Sequence, residues 1–145
     1  MSGTWVLDSE ALSLYLRADR KMTARLAVAL QDDVRVVSAA ATVVEADHAA
    51  VHPARLDWAL SRLVVVPLTL DLARAASKLL RSTGLHGHKY AIDAMVVATA
   101  LALPDRPVSV LTSDVDDIAT LLGDRLDRSG PGRAFSPAQV RVLPV

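Results

Sequence analysis

Four acidic residues interrupt apolar surroundings in a pattern that suits metal-ion chemistry. Asp8 follows Trp5-Val6-Leu7, Glu45 stands between Val44 and Ala46, Asp93 falls within Ala91-Ile92-Asp93-Ala94, and Asp114 ends Val110-Leu111-Thr112-Ser113-Asp114. An aspartate just after a strand is a favoured helix N-cap, and one near a helix start gains from the helix dipole. Each aspartate therefore has a structural explanation available. Glu45 has none: it is one of only two glutamates, with Glu10, and it lies two turns into an expected helix among Val43, Val44 and Ala46. Two carboxylates ~4 Å apart repel by ~4 kcal/mol at an effective dielectric of ~20. Several brought together must take up protons or a divalent cation. The donors are all oxygen and the chain has no cysteine, which points to Mg²⁺ or Mn²⁺ and not to zinc.

Other polar residues gather around these acids. Ser9 beside Asp8, and Thr112 and Ser113 just before Asp114, are placed to hold carboxylates by hydrogen bonds. Asp116 and Asp117 compete with Asp114 for the fourth position, which directly follows the Thr-Ser pair; Asp117, three residues along on the same helix face, is the reserve. Arg74, Lys78 and Arg81 share one face of an expected helix, and His86, His88 and Lys89 follow just ahead of Asp93. That basic series is either a solvated face or a phosphate-binding one. Glu45-Ala46-Asp47-His48 has the spacing of a di-iron carboxylate motif, but such a site needs a second copy and the chain has none. His86-Gly87-His88 lacks a third-ligand motif for zinc.

The elements that must position these groups follow from alternating apolar pulses. Short strands are expected at 5–7, 35–37, 64–66, 108–111 and 140–143. Helices are expected at 9–17 and 19–31, from a Ser38 cap through 50, from Pro53 with Leu56, Leu60 and Leu63 in a stripe, and at 69–82, 90–103 and 114–122. Gly84 ends the 69–82 helix, Asp93 falls in the first turn of the almost wholly apolar 90–103 helix, and 124–137 has the composition of a loop. Strands alternating with helices imply a parallel sheet covered on both faces, with functional groups beyond the carboxyl ends of the strands. With 145 residues, 52% of them hydrophobic and 22% charged, the chain is expected to form one domain over 1–145 with an aliphatic core. Zero net charge argues against a protein that coats nucleic acid through bulk positive field. No secretory leader or membrane-spanning stretch is visible, and the lack of cysteine fits a reducing, cytoplasmic setting.

Taken in order, Val6-Leu7-Asp8-Ser9, Val37-Ser38-Ala39 through Val44-Glu45, Ala91-Ile92-Asp93-Ala94 with Ala98-Thr99-Ala100, and Val110-Leu111-Thr112-Ser113-Asp114 resemble the PIN-domain pattern, and among PIN domains the VapC-type bacterial toxins. The resemblance covers nearly the whole chain. It departs where Ser9-Glu10 follows Asp8 in place of the family's usual Thr-Ser or Thr-Asn. The resemblance implies a three-layer α/β/α fold with a mainly parallel sheet, and a metal-dependent ribonuclease that leaves a 5′-phosphate. Asp8, Glu45, Asp93 and Asp114 would then hold Mg²⁺ or Mn²⁺. It also implies an RNA substrate, a homodimer and an antitoxin partner. A phosphoacceptor receiver domain shares a similar acidic pocket but needs paired acids at its first strand and a lysine after its last, which Lys21, Lys78 and Lys89 suit poorly. A PIN-like domain kept only for binding is the other alternative.

Overall fold

The computed structural model describes residues 3–129 and 138–145. Its frame is a five-stranded, all-parallel sheet in the order β3-β2-β1-β4-β5, formed by β1 (Thr4–Leu7), β2 (Arg35–Ala39), β3 (Val64–Val66), β4 (Val108–Thr112) and β5 (Val140–Pro144). Helices α1 (Ser9–Leu16), α2 (Arg20–Gln31), α3 (Ala40–Ala46) and α4 (Pro53–Ser61) connect the first three strands. After β3 the chain reverses across the sheet through α5 (Leu70–Thr83) and α6 (Gly87–Ala102), and α7 (Val115–Leu122) with a short 3₁₀ turn at Gly123–Arg125 precedes β5.

The period-2 geometry of strands divides neighbouring side chains between two cores. Val6, Val37 and Val110 point into one core with Ala94, Val97 and Ile118. Leu7, Val36 and Leu111 point into the other with Leu12, Met22 and Leu26. Helices on both faces make the fold three-layered, and central strands that are buried on both sides read as mainly apolar runs. Because β1 has β2 on one side and β4 on the other, the strand order switches direction between β1 and β4. Ligand crevices of open parallel sheets form at that switch point. The order also differs from the 2-1-3-4-5 of receiver domains, which removes that alternative.

Three local expectations need correction. Ser38 does not cap a helix: it is fully buried in β2, paired with Leu7, and Ala39 takes the N-cap position. Being central, β2 gains hydrogen-bonding partners on both sides, which extends it by two residues. The following helix ends at Ala46, not at 50, because Asp47 turns to extended backbone (φ −74°, ψ 136°). The helix carrying Asp93 begins at Gly87, three residues before its apolar periodicity shows, since Gly87, His88 and Lys89 are a polar first turn. Gly84 ends α5 as expected, in the left-handed region at φ 70°. Of the expected 124–137 loop, residues 130–137 lie outside the described residues.

Candidate metal centre

Each acid owes its position to a strand end or a helix turn. Asp8 follows β1 at the switch point and is buried, 1% exposed. Its backbone N–H donates to the Leu111 carbonyl (2.9 Å), which ties the end of β1 to β4. As N-cap of α1 it accepts from the Ser9 backbone N–H at Oδ1 (2.8 Å), while Oδ2 accepts from the Thr112 hydroxyl (2.7 Å). Thr112 is itself fully buried, and its Oγ1 accepts from the Asp114 backbone N–H (2.9 Å). One hydroxyl thus fixes the Asp8 carboxylate and the turn carrying Asp114 at once.

The capping account fails for the other acids. Asp114 occupies the N-cap position of α7 without a side-chain capping bond. Asp93 is the seventh residue of α6, not in its first turn, so it has no orphan amide to cap. Glu45 is the penultimate residue of the seven-residue α3, where the negative end of the helix dipole opposes its charge. Glu45 and Asp93 therefore gain nothing from the positions they hold in their own helices.

Carboxylate oxygens of Asp8, Asp93 and Asp114 all lie within 4.8 Å of one another. Burial pushes the Asp93 carboxyl up to about 7, reinforced by the charges of Asp8, Asp114, Asp117 and Glu45. Burial also raises Asp8, opposed by its bonds to Thr112 and Ser9 and aided by Asp114 and Glu45. Glu45 therefore acts on Asp8 and Asp93 through its field but is exposed and outside the tight cluster. Asp117, the reserve, likewise adds its charge to Asp93 from α7. Three converging carboxylates with uncompensated charge fit a hard divalent cation of the Mg²⁺ or Mn²⁺ kind.

The remaining sequence candidates divide. Ser9 supplies its backbone amide, and Ser113 is exposed with no hydrogen bond to the acids among the described residues. Glu10 is engaged by Arg17 (2.9 Å). His48 and His52 accept backbone N–H groups through Nδ1, from Ala50 and Ala54, and His52 caps α4. Arg74, Lys78 and Arg81 are exposed along α5 and, with Ser77, line a shallow depression of about 410 Å³. Arg81 and His86 border a second depression of about 450 Å³ running to the start of α6. His88 and Lys89 are exposed on that first turn. The charges of Asp117 and Asp114 act on Lys89, whose ammonium lies 5.1 Å from the ring centroid of Tyr90, a residue that sequence reasoning missed. With α6 starting at Gly87, Lys89 precedes Asp93 by one helical turn.

No protein-family profile and no curated protein matches the chain. Its structure is similar to a chain in the crystal structure of VapBC2 from Rickettsia felis bound to a DNA fragment from their promoter, with TM-score 0.60 and 12% identity over 98% of each chain. The shared feature is the fold, a parallel sheet covered by helices on both faces. Among the described residues no helix is long and apolar enough to cross a membrane.

Proposed function

We propose that this protein is a Mg²⁺- or Mn²⁺-dependent endoribonuclease acting as the toxin of a toxin–antitoxin pair in the cytoplasm. The observation that carries the reading is the convergence of Asp8, Asp93 and Asp114 within 4.8 Å at the switch point of a PIN-type sheet. Asp8, Asp93 and Asp114 hold the cation, with Glu45 contributing directly or through water and Asp117 in reserve. When bound, the ion supplies Lewis acidity, lowering the pKa of a coordinated water and offsetting charge on the scissile phosphate.

The chain's own groups do the positioning. The Thr112 hydroxyl and the Ser9 amide keep the Asp8 carboxylate in one orientation, so little reorganisation accompanies binding. Asp93 holds a proton near neutrality until a cation displaces it, which couples cation binding to proton release. Arg74, Lys78, Arg81, His86, His88 and Lys89 bind the RNA backbone along α5 and the start of α6. The likeness to a chain of the VapBC2 structure supports an antitoxin partner. Exposed Val64, Val65, Leu68 and Leu70, on β3 and the segment that follows it, supply apolar surface for a homodimer.

Two measurements test this reading. Calorimetric titration with Mn²⁺ is expected to show binding that Asp8→Asn weakens by at least about tenfold, in the range seen when a metal site loses a supporting group. A single-stranded RNA pool is expected to be cleaved by the wild type with Mn²⁺ and not with EDTA. Equal Mn²⁺ affinity in the wild type, Asp8→Asn and Asp93→Asn would overturn the metal site.

A further inference from the structure

The polar first turn of α6 places a cation one helical turn ahead of Asp93. Lys89 and Asp93 are four residues apart on that helix, so they share a face about 6 Å apart along the axis. Lys89 is exposed and reachable by a ligand. Its ammonium lies 5.1 Å from the Tyr90 ring centroid, and the Tyr90 phenol is the strongest influence on its charge. The charges that act on it across the gap are those of Asp117 and Asp114 on and before α7. A lysine normally gives up much rotamer freedom when it grips a ligand. Here the Tyr90 ring gives the ammonium a neighbour, and the charges of Asp117 and Asp114 draw it toward the acids.

We propose that Lys89 is a catalytic residue whose ammonium donates to a non-bridging oxygen of the scissile phosphate, with the Tyr90 hydroxyl as its positioning partner; this rests on the nuclease reading above. An anionic phosphate approaching three carboxylates needs positive charge on its own side as well as among the acids. A compact ammonium is suited to that task, and the N-terminal amides of α6 add potential of the same sign. Charge grows on the non-bridging oxygens as the attacking oxygen bonds to phosphorus ahead of the departure of the leaving oxygen, so the interaction strengthens in such a transition state. It therefore raises the rate more than the affinity.

Single-turnover cleavage of a short single-stranded RNA at saturating concentration with Mn²⁺ tests the proposal. Lys89→Ala is expected to slow the chemical step about 100-fold, the scale of losing one preorganised donor, without weakening Mn²⁺ binding. Lys89→Arg recovers part of the rate. Tyr90→Phe costs about tenfold, and Lys89→Ala/Tyr90→Phe is no slower than Lys89→Ala alone, because the two act as one unit. A Lys89→Ala rate equal to wild type at saturation overturns the catalytic role, and additive losses in the double variant overturn the role of Tyr90. If the wild type cleaves no RNA, the nuclease reading itself fails. Titration of a 5′-phosphorylated tetradeoxynucleotide in Mg²⁺ then decides: affinity at least tenfold weaker in Lys89→Ala keeps Lys89 as a phosphate ligand, and equal affinity overturns it.

Discussion

At the scale of single residues, Glu45 and Asp93 make the sharpest predictions. Glu45 sits against the unfavourable end of a short helix dipole and yet projects its charge onto Asp8 and Asp93. Glu45→Gln keeps size and hydrogen bonding while removing that charge. The expected outcome is an unchanged circular dichroism spectrum with metal-dependent RNA cleavage reduced about 100-fold or more, as when a small misplacement spoils an aligned site. Asp93 carries a proton more tightly folded than unfolded: about 7 against the unfolded carboxylate value of about 3.9. Without cation, its contribution to stability is therefore lost as pH rises from about 4 through 7. Asp8, raised for the same reason, adds to that loss. Asp93→Asn removes the Asp93 part, so metal-free melts at pH 8 should show the variant melting at the same temperature or a few degrees higher, with the gap closing near pH 5. A melting temperature clearly below wild type at pH 8 would instead show that Asp93 supports the fold.

At the scale of elements, the end of β4 decides how the acids meet. Thr112 joins β4 to β1 through the Asp8 carboxylate and sets the start of α7 through the Asp114 amide. Thr112→Val has nearly the same shape but no hydroxyl, so Asp8 loses one of its two hydrogen-bond donors and Asp114 its anchor. Mn²⁺ affinity measured by calorimetry should fall about 10- to 100-fold, the usual cost of removing a group that orients a ligand. Thr112→Ser should restore most of it. A Thr112→Val variant with wild-type Mn²⁺ affinity would show that packing alone orients Asp8. The seven-residue length of α3 and the early start of α6 are equally element-scale facts, since they set where Glu45, Lys89 and Asp93 stand along their helices.

At the scale of the whole molecule, net charge is zero, yet three basic residues share one exposed stripe. Arg74, Lys78 and Arg81 are exposed along α5, with no hydrogen bond or ion pair among the described residues. Replacing all three with Ala should weaken single-stranded RNA binding and reduce the slope of log affinity against log salt. That slope should fall by about 0.7 for every phosphate no longer neutralised. Unchanged affinity and slope in fluorescence-anisotropy titrations would mark the stripe as an ordinary solvated face.

Much of this was legible in sequence order. The apolar pulses marked the strands, because central strands buried on both faces are mainly apolar and the edge strands β3 and β5 are rich in β-branched valine. Thr69 and Gly84 bracketed α5, because capping chemistry is local. The four acids stood out because charged residues rarely sit within apolar runs unless paired or functional. Register and convergence were not legible. Ser38 read as a cap until pairing with Leu7 drew it into β2, and the polar first turn of α6 was invisible to apolar periodicity. That Asp8, Asp93 and Asp114 meet within 4.8 Å while Glu45 stands outside depends on strand order, and strand order is a choice among long-range pairings. The residue types and their local elements were written in the sequence; which carboxylates share one space was decided only when β1 came to lie between β2 and β4.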